Sequence, residues 1–95
     1  MITITNAKLS AMPYAQASVI KMSNGEVTLR SYSTDVARID ASGWLVVYGL
    51  YSATTRRHIG AFVKEYAHIS YQVAKELHLK KWTYNIYTGE ICSLV

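Results

Sequence analysis

Between Leu50 and Ala67 runs the longest stretch of this chain whose apolar residues keep a helical period. Ile59, Phe62, Val63 and Tyr66 stand at i, i+3, i+4 and i+7, one stripe that a helix must bury. Ser52, Thr54 and Thr55 supply hydroxyls for capping its first turn. A second helical stretch follows at once. His68-Ile69 is a short joint, Ser70 is placed to cap, and Val73, Ala74 and Leu77 form a second buried stripe ending near Leu79. Two helices joined this tightly make an αα-hairpin or corner. Their apolar stripes must therefore be covered by what flanks them.

What flanks them alternates with period two. Ile2–Thr5 reads as a first strand, broken off by Met12-Pro13. Ala15–Met22 reads as a second, leading into Ser23-Asn24-Gly25-Glu26. Asn-Gly between extended runs predicts a type I′ hairpin. Folding about it pairs Met22 with Val27 and Ile20 with Leu29, so these four share one face, with Lys21, Thr28 and Arg30 on the other.

A second hairpin joins Val36–Asp40 to Trp44–Tyr48 through Ala41-Ser42-Gly43, a type I turn closed by Gly43 in the left-handed region. Its register puts Ala37, Ile39, Leu45 and Val47 on the core face. Arg38, Asp40, Trp44, Val46 and Tyr48 are left opposite. That second face is too apolar to be merely solvated, so a further element or a partner must cover it. The tail, Trp82 to Val95, reads as a last hairpin of Thr83–Tyr87 and Glu90–Leu94 about Thr88-Gly89.

With 51% hydrophobic and 17% charged residues, 95 residues suffice for one folded core. The expected architecture is a single α+β domain over 1–95: an antiparallel β-sheet of hairpins with two consecutive helices packed on one face. No continuous apolar leader or membrane-length run is found. The single cysteine fits a reducing compartment, so a cytoplasmic location is expected.

The residue types that carry chemistry are poorly arranged for it. His58, His68 and His78 stand ten apart, which is no ligand spacing, and read as surface or flank histidines. Cys92, between Ile91 and Leu94, reads as a small buried hydrophobe. The six carboxylates form no near pair and the glycines form no phosphate loop. Gly60, within the first helix, reads as a site of close packing against Tyr51 or the sheet. No catalytic residue, metal or cofactor is expected, and the chain reads as a non-enzyme.

The charge carries more information. The net charge is +4, which favours acidic partners and rules out an acidic mimic of DNA. Arg56 and Arg57 sit at the start of a helix, where the dipole disfavours cations by about 0.3–1 kcal/mol each. An anionic partner would compensate. With eight tyrosines and two tryptophans, base-stacking platforms and protein anchors both come into view, after ordinary roles at the core's edge. The partner-binding set this reading selects is Arg56, Arg57, Tyr51, Trp44, Tyr48 and Arg38.

The segments SYSTDVARID, GWLVVYGLYSATTRRHIGAFVKEYA and YNIYTGE resemble small proteins carried by phages and mobile elements of Gram-positive bacteria. The resemblance spans Ser31 to Glu90 and leaves out the first thirty residues. It supplies no catalytic residues and implies an inhibitor of host defence, of the anti-CRISPR kind. The partner it implies is a larger host protein, a nuclease with bound nucleic acid among them. The alternative is a basic accessory protein that contacts nucleic acid directly. A homodimer is compatible with both; a membrane partner is not expected.

Overall fold

Turn chemistry and alternation fold the chain into one antiparallel sheet that meets its two helices on a single side. The computed structural model describes residues 2–94. The strands are β1 (Ile4–Ala7), β2 (Ala17–Met22), β3 (Val27–Ser31), β4 (Thr34–Ile39), β5 (Trp44–Val47), β6 (Trp82–Asn85) and β7 (Ile91–Ser93). The helices α1 (Ala53–Tyr66) and α2 (Tyr71–Leu79) lie between β5 and β6. The strands stand in chain order, each paired with its sequence neighbour. Helix α1 crosses β3 and β4, and α2 crosses β5 and β6. The expected α+β architecture is the one found.

The helix stripes bury as their spacing predicts. Ile59, Phe62 and Val63 are fully enclosed against Leu29, Ala37, Ile39 and Leu45 in one core, with Tyr66 packed at its edge. Ser52 is the N-cap of α1, its hydroxyl accepting from the Thr55 N–H at 3.1 Å. Ser70 caps α2 in the same way. In α2, Ala74 and Leu77 are buried but Val73 is exposed, lining a groove with Trp82 and Ile91 instead. His68 ends α1 in the left-handed region, at φ 57°, and the Ile69 N–H turns back to the Val63 carbonyl. The loop after β1 is held down by Leu9, fully buried, and by Ser10, whose N–H and hydroxyl each donate to the Glu65 carboxylate at 2.9 Å.

The second hairpin has the expected register. Ala37 pairs with Val47 and Ile39 with Leu45, and all four are buried. Gly43, at φ 96°, closes the turn, with its N–H donating to the Asp40 carbonyl.

The first hairpin differs by one residue. Val19 pairs with Leu29 and Lys21 with Val27, not Met22 with Val27. The loop has three residues, Ser23-Asn24-Gly25, because Met22 N–H reaches the Glu26 carbonyl. Of its residues only Gly25, at φ 100°, is left-handed, whereas a type I′ turn needs two. Both hairpins thus use the same turn. Since side chains alternate, a one-residue slip exchanges the faces. Ala17 and Val19 enter the core, and Ile20 and Met22 face away from the helices. Lys21 lies on the helix side, its ammonium 5.2 Å over the Tyr66 ring.

Four other expectations shift. The first strand starts at Ile4 rather than Ile2, and β6 ends at Asn85, whose side chain accepts from the N–H groups of Tyr87 and Thr88 and bends the chain. Val95, the last residue of the expected tail hairpin, lies outside the described residues. Cys92 is exposed, because β7 is an edge strand with no neighbour beyond it. A Cβ on Gly60 would stand 3.4 Å from Tyr71 Cβ, so this glycine packs on the second helix rather than on Tyr51 or the sheet.

Candidate functional site

Among the described residues no helix lies on the far side of the sheet. The pairings bring Ile20, Thr28, Arg38 and Val46 into one row across β2, β3, β4 and β5 on that side. All four are half-buried by their neighbours. Trp44 sits one pair further along β5, opposite Asn85, and Met22 one pair along β2, opposite Ile4. Tyr48 follows β5, anchored by its N–H on the Val36 carbonyl, with its ring exposed. The apolar outer face foreseen in the second hairpin is therefore real, and the strands of the first hairpin extend it.

Its charges are paired within the face. The Arg38 guanidinium is hydrogen-bonded to Glu26, the residue before β3. Burial works against the Arg38 charge, but the Glu26 carboxylate and Tyr48 outweigh it and raise its pKa above the ordinary value. Arg30 Nε meets Asp35 Oδ1 at 2.8 Å. Asp40 spends its carboxylate on the turn, accepting from the N–H groups of Ser42 and Trp44. The middle of the face is thus Thr28 and the neutralised Arg38, with Ile20 and Met22 on the β2 side and Val46 and Trp44 on the β5 side.

The six residues selected from the sequence divide between two surfaces. Trp44, Tyr48 and Arg38 belong to the outer sheet face. Arg56 and Arg57 lie on the solvent side of α1, since Thr55, His58, Ile59 and Phe62 take the sheet side. Arg56 Nε donates to the Leu50 carbonyl at 3.2 Å. Tyr51 lies flat over Gly49, where a Cβ would stand 2.3 Å from its ring. It walls a pocket of about 280 Å³ with Ser31, Tyr32, Thr34, Val36 and Thr55.

Sequence reasoning missed two things. Ile20 and Met22 were placed on one face with Val27 and Leu29, and only the three-residue turn separates them. His58 is no surface histidine: it is 1% exposed, and its Nδ1 lies 2.8 Å from the Ser31 hydroxyl. Ser52 donates to Thr55 Oγ1 at 3.1 Å, and Thr55 stands 3.2 Å from Ser31. One direction satisfies the whole chain, Ser52 to Thr55 to Ser31 to His58 Nδ1. Desolvation lowers the His58 pKa below its ordinary value. Its position beside the helix stripe, adjacent to Ile59, was the available signal. His78 is also engaged, its Nδ1 2.9 Å from the Val47 carbonyl. Among the described residues no group of three or more His, Cys, Asp or Glu is placed to hold a metal, and no helix is long and apolar enough to cross a membrane.

These features define a small α+β domain with helices on one side of a meander and, on the other, a face whose apolar residues flank a neutralised arginine. Residues 3–78 match a family of unknown function, DUF8033, and the chain belongs to that family. The match takes in the first thirty residues, which the resemblance above left out, and stops short of β6 and β7. No curated protein and no solved structure matches the chain.

Proposed function

We propose that this is a non-enzymatic binding protein that docks on a larger protein through the outer face of its sheet. One observation carries the reading: Trp44 and Val46 on β5 and Ile20 and Met22 on β2 flank the neutralised Arg38 on the face that no described helix covers. Protein interfaces concentrate their energy in buried aromatic and arginine anchors, and Trp44, Tyr48 and Arg38 supply that set. Arg38 and Arg30 already have carboxylate partners, which favours a protein surface there over phosphates. The finer reading, an inhibitor of a host defence nuclease, rests on the resemblance to phage and mobile-element proteins and is part of the same proposal, as is action in the host cytoplasm.

The second reading, direct contact with nucleic acid, draws on Arg56 and Arg57, which form no ion pair among the described residues. The test captures partners from nuclease-treated lysate of a bacterial host, then measures the purified partner's affinity for variants of each face. Trp44→Ala should weaken binding by about 2 kcal/mol, roughly thirtyfold, as interface anchors do. Arg56→Gln with Arg57→Gln should matter less. Loss of binding only in the arginine variants, with affinity falling steeply in log salt, would favour nucleic acid and defeat the protein-docking reading.

A further inference from the structure

The sheet ends at β1 in a row of unused hydrogen-bonding groups. Thr3 pairs with Ser23, whose N–H donates to the Thr3 carbonyl, and Thr5 and Ala7 stand opposite Lys21 and Val19. In an antiparallel ladder alternate residues turn their N–H and C=O the same way. Ile4 and Asn6 therefore point theirs out from the sheet, where no further strand of the described residues lies. Natural edges are usually blunted by charge, proline or a bulge. Strand β1 has none of these: it reads Ile-Thr-Asn-Ala, follows Ile2-Thr3, and is exposed along most of its length.

We propose that β1 is a self-association edge and that its occupant is β1 of a second copy of this chain, paired antiparallel about a two-fold axis. With the axis at Ile4, the outward groups of Ile4 in one copy meet those of Ile4 in the other, and Asn6 falls opposite Ile2. The pairing is isologous, so it closes as a dimer and does not propagate. Charge agrees with it. The chain carries +4 overall, yet β1 has no charged side chain, and the nearby Lys21 ammonium is turned to the helix side over Tyr66. The side chains of Ile4 lie on the outer face beside Met22, so pairing joins the two apolar faces into one surface. This inference stands on a different element from the docking reading and does not depend on it.

The experiment is analytical ultracentrifugation from about 1 μM to about 1 mM, the range in which a short strand pairing is expected to associate. Hydrogen exchange at low and high concentration accompanies it. The expected result is a monomer–dimer equilibrium in which the Ile4 and Asn6 amides become protected as dimer forms. Ile4→Lys should raise the dissociation constant at least tenfold. Asn6→Lys, also exposed, serves as a second edge variant in case the first disturbs folding, and Trp44→Ala should leave the dimer in place. A monomer throughout, or a dimer that ignores both lysine variants, overturns the proposal. So does a dimer whose Ile4 and Asn6 amides exchange freely, or one lost only in Trp44→Ala, which would place association on the face instead of the edge.

Discussion

Ser31→Ala tests whether the buried hydroxyl chain holds α1 on the sheet. Ser31, Thr55 and His58 are all buried, and Ser31 is the link between the other two. Removing its hydroxyl leaves the Thr55 hydroxyl and His58 Nδ1 without that partner, which costs about 1–3 kcal/mol. For a domain of this size that is a fall in Tm of roughly 5–20 °C. The same network has a pH signature. His58 has a lowered pKa in the fold, so the unfolded chain takes up its proton first as pH falls. The stability due to its neutral form is present above about pH 6.5 and is lost below it. Urea melts at several pH values between about 8 and 5 read both effects, with His58→Asn as the non-titrating control that keeps a polar group near Nδ1. A Ser31→Ala protein melting within about 2 °C of wild type would refute the role of the chain. So would a His58→Asn protein that loses as much stability on acidification as wild type.

Three further outcomes are expected. Phe62→Ala, at the centre of the α1 stripe and fully buried, should cost about 3–5 kcal/mol, read by urea melts. Gly60→Ala should raise stability by up to about 1 kcal/mol, since the new methyl meets Tyr71 Cβ at an ordinary 3.4 Å; Gly43→Ala should instead destabilise, because φ is 96° and the Tyr87 ring stands 2.5 Å from the added carbon. Replacing Arg56 and Arg57 with glutamate should leave the isolated fold intact or raise its Tm slightly, as the sign then suits the helix start; an unfolded double mutant would show that the arginines hold the structure.

The elements of this protein are written in short-range pattern. The spacing of Ile59, Phe62 and Val63 and the caps at Ser52 and Ser70 were enough to place α1 and α2, because each depends on residues within a few positions. Gly43 fixed the second hairpin, and with it the placement of Trp44, Val46 and Arg38 on one outer face. Asn24-Gly25 misled because the same dipeptide serves two turns that differ by one residue in length. The choice between them falls to packing: the observed register sends Val19 and Ala17 under the helices, and the sequence alone also offered Ile20 and Met22.

Tertiary structure decided the rest. His58 looked like a surface histidine until Ser31, 27 residues away, supplied the partner that lets it be buried. Cys92 looked like core until β7 proved to be an edge. Most of all, the six residues chosen as one binding set lie on opposite sides of the molecule. Local periodicity tells which residues of a strand or a helix share a face. Which faces meet depends on where α1 settles, and that is fixed by contacts with β3 and β4, far from it in the chain.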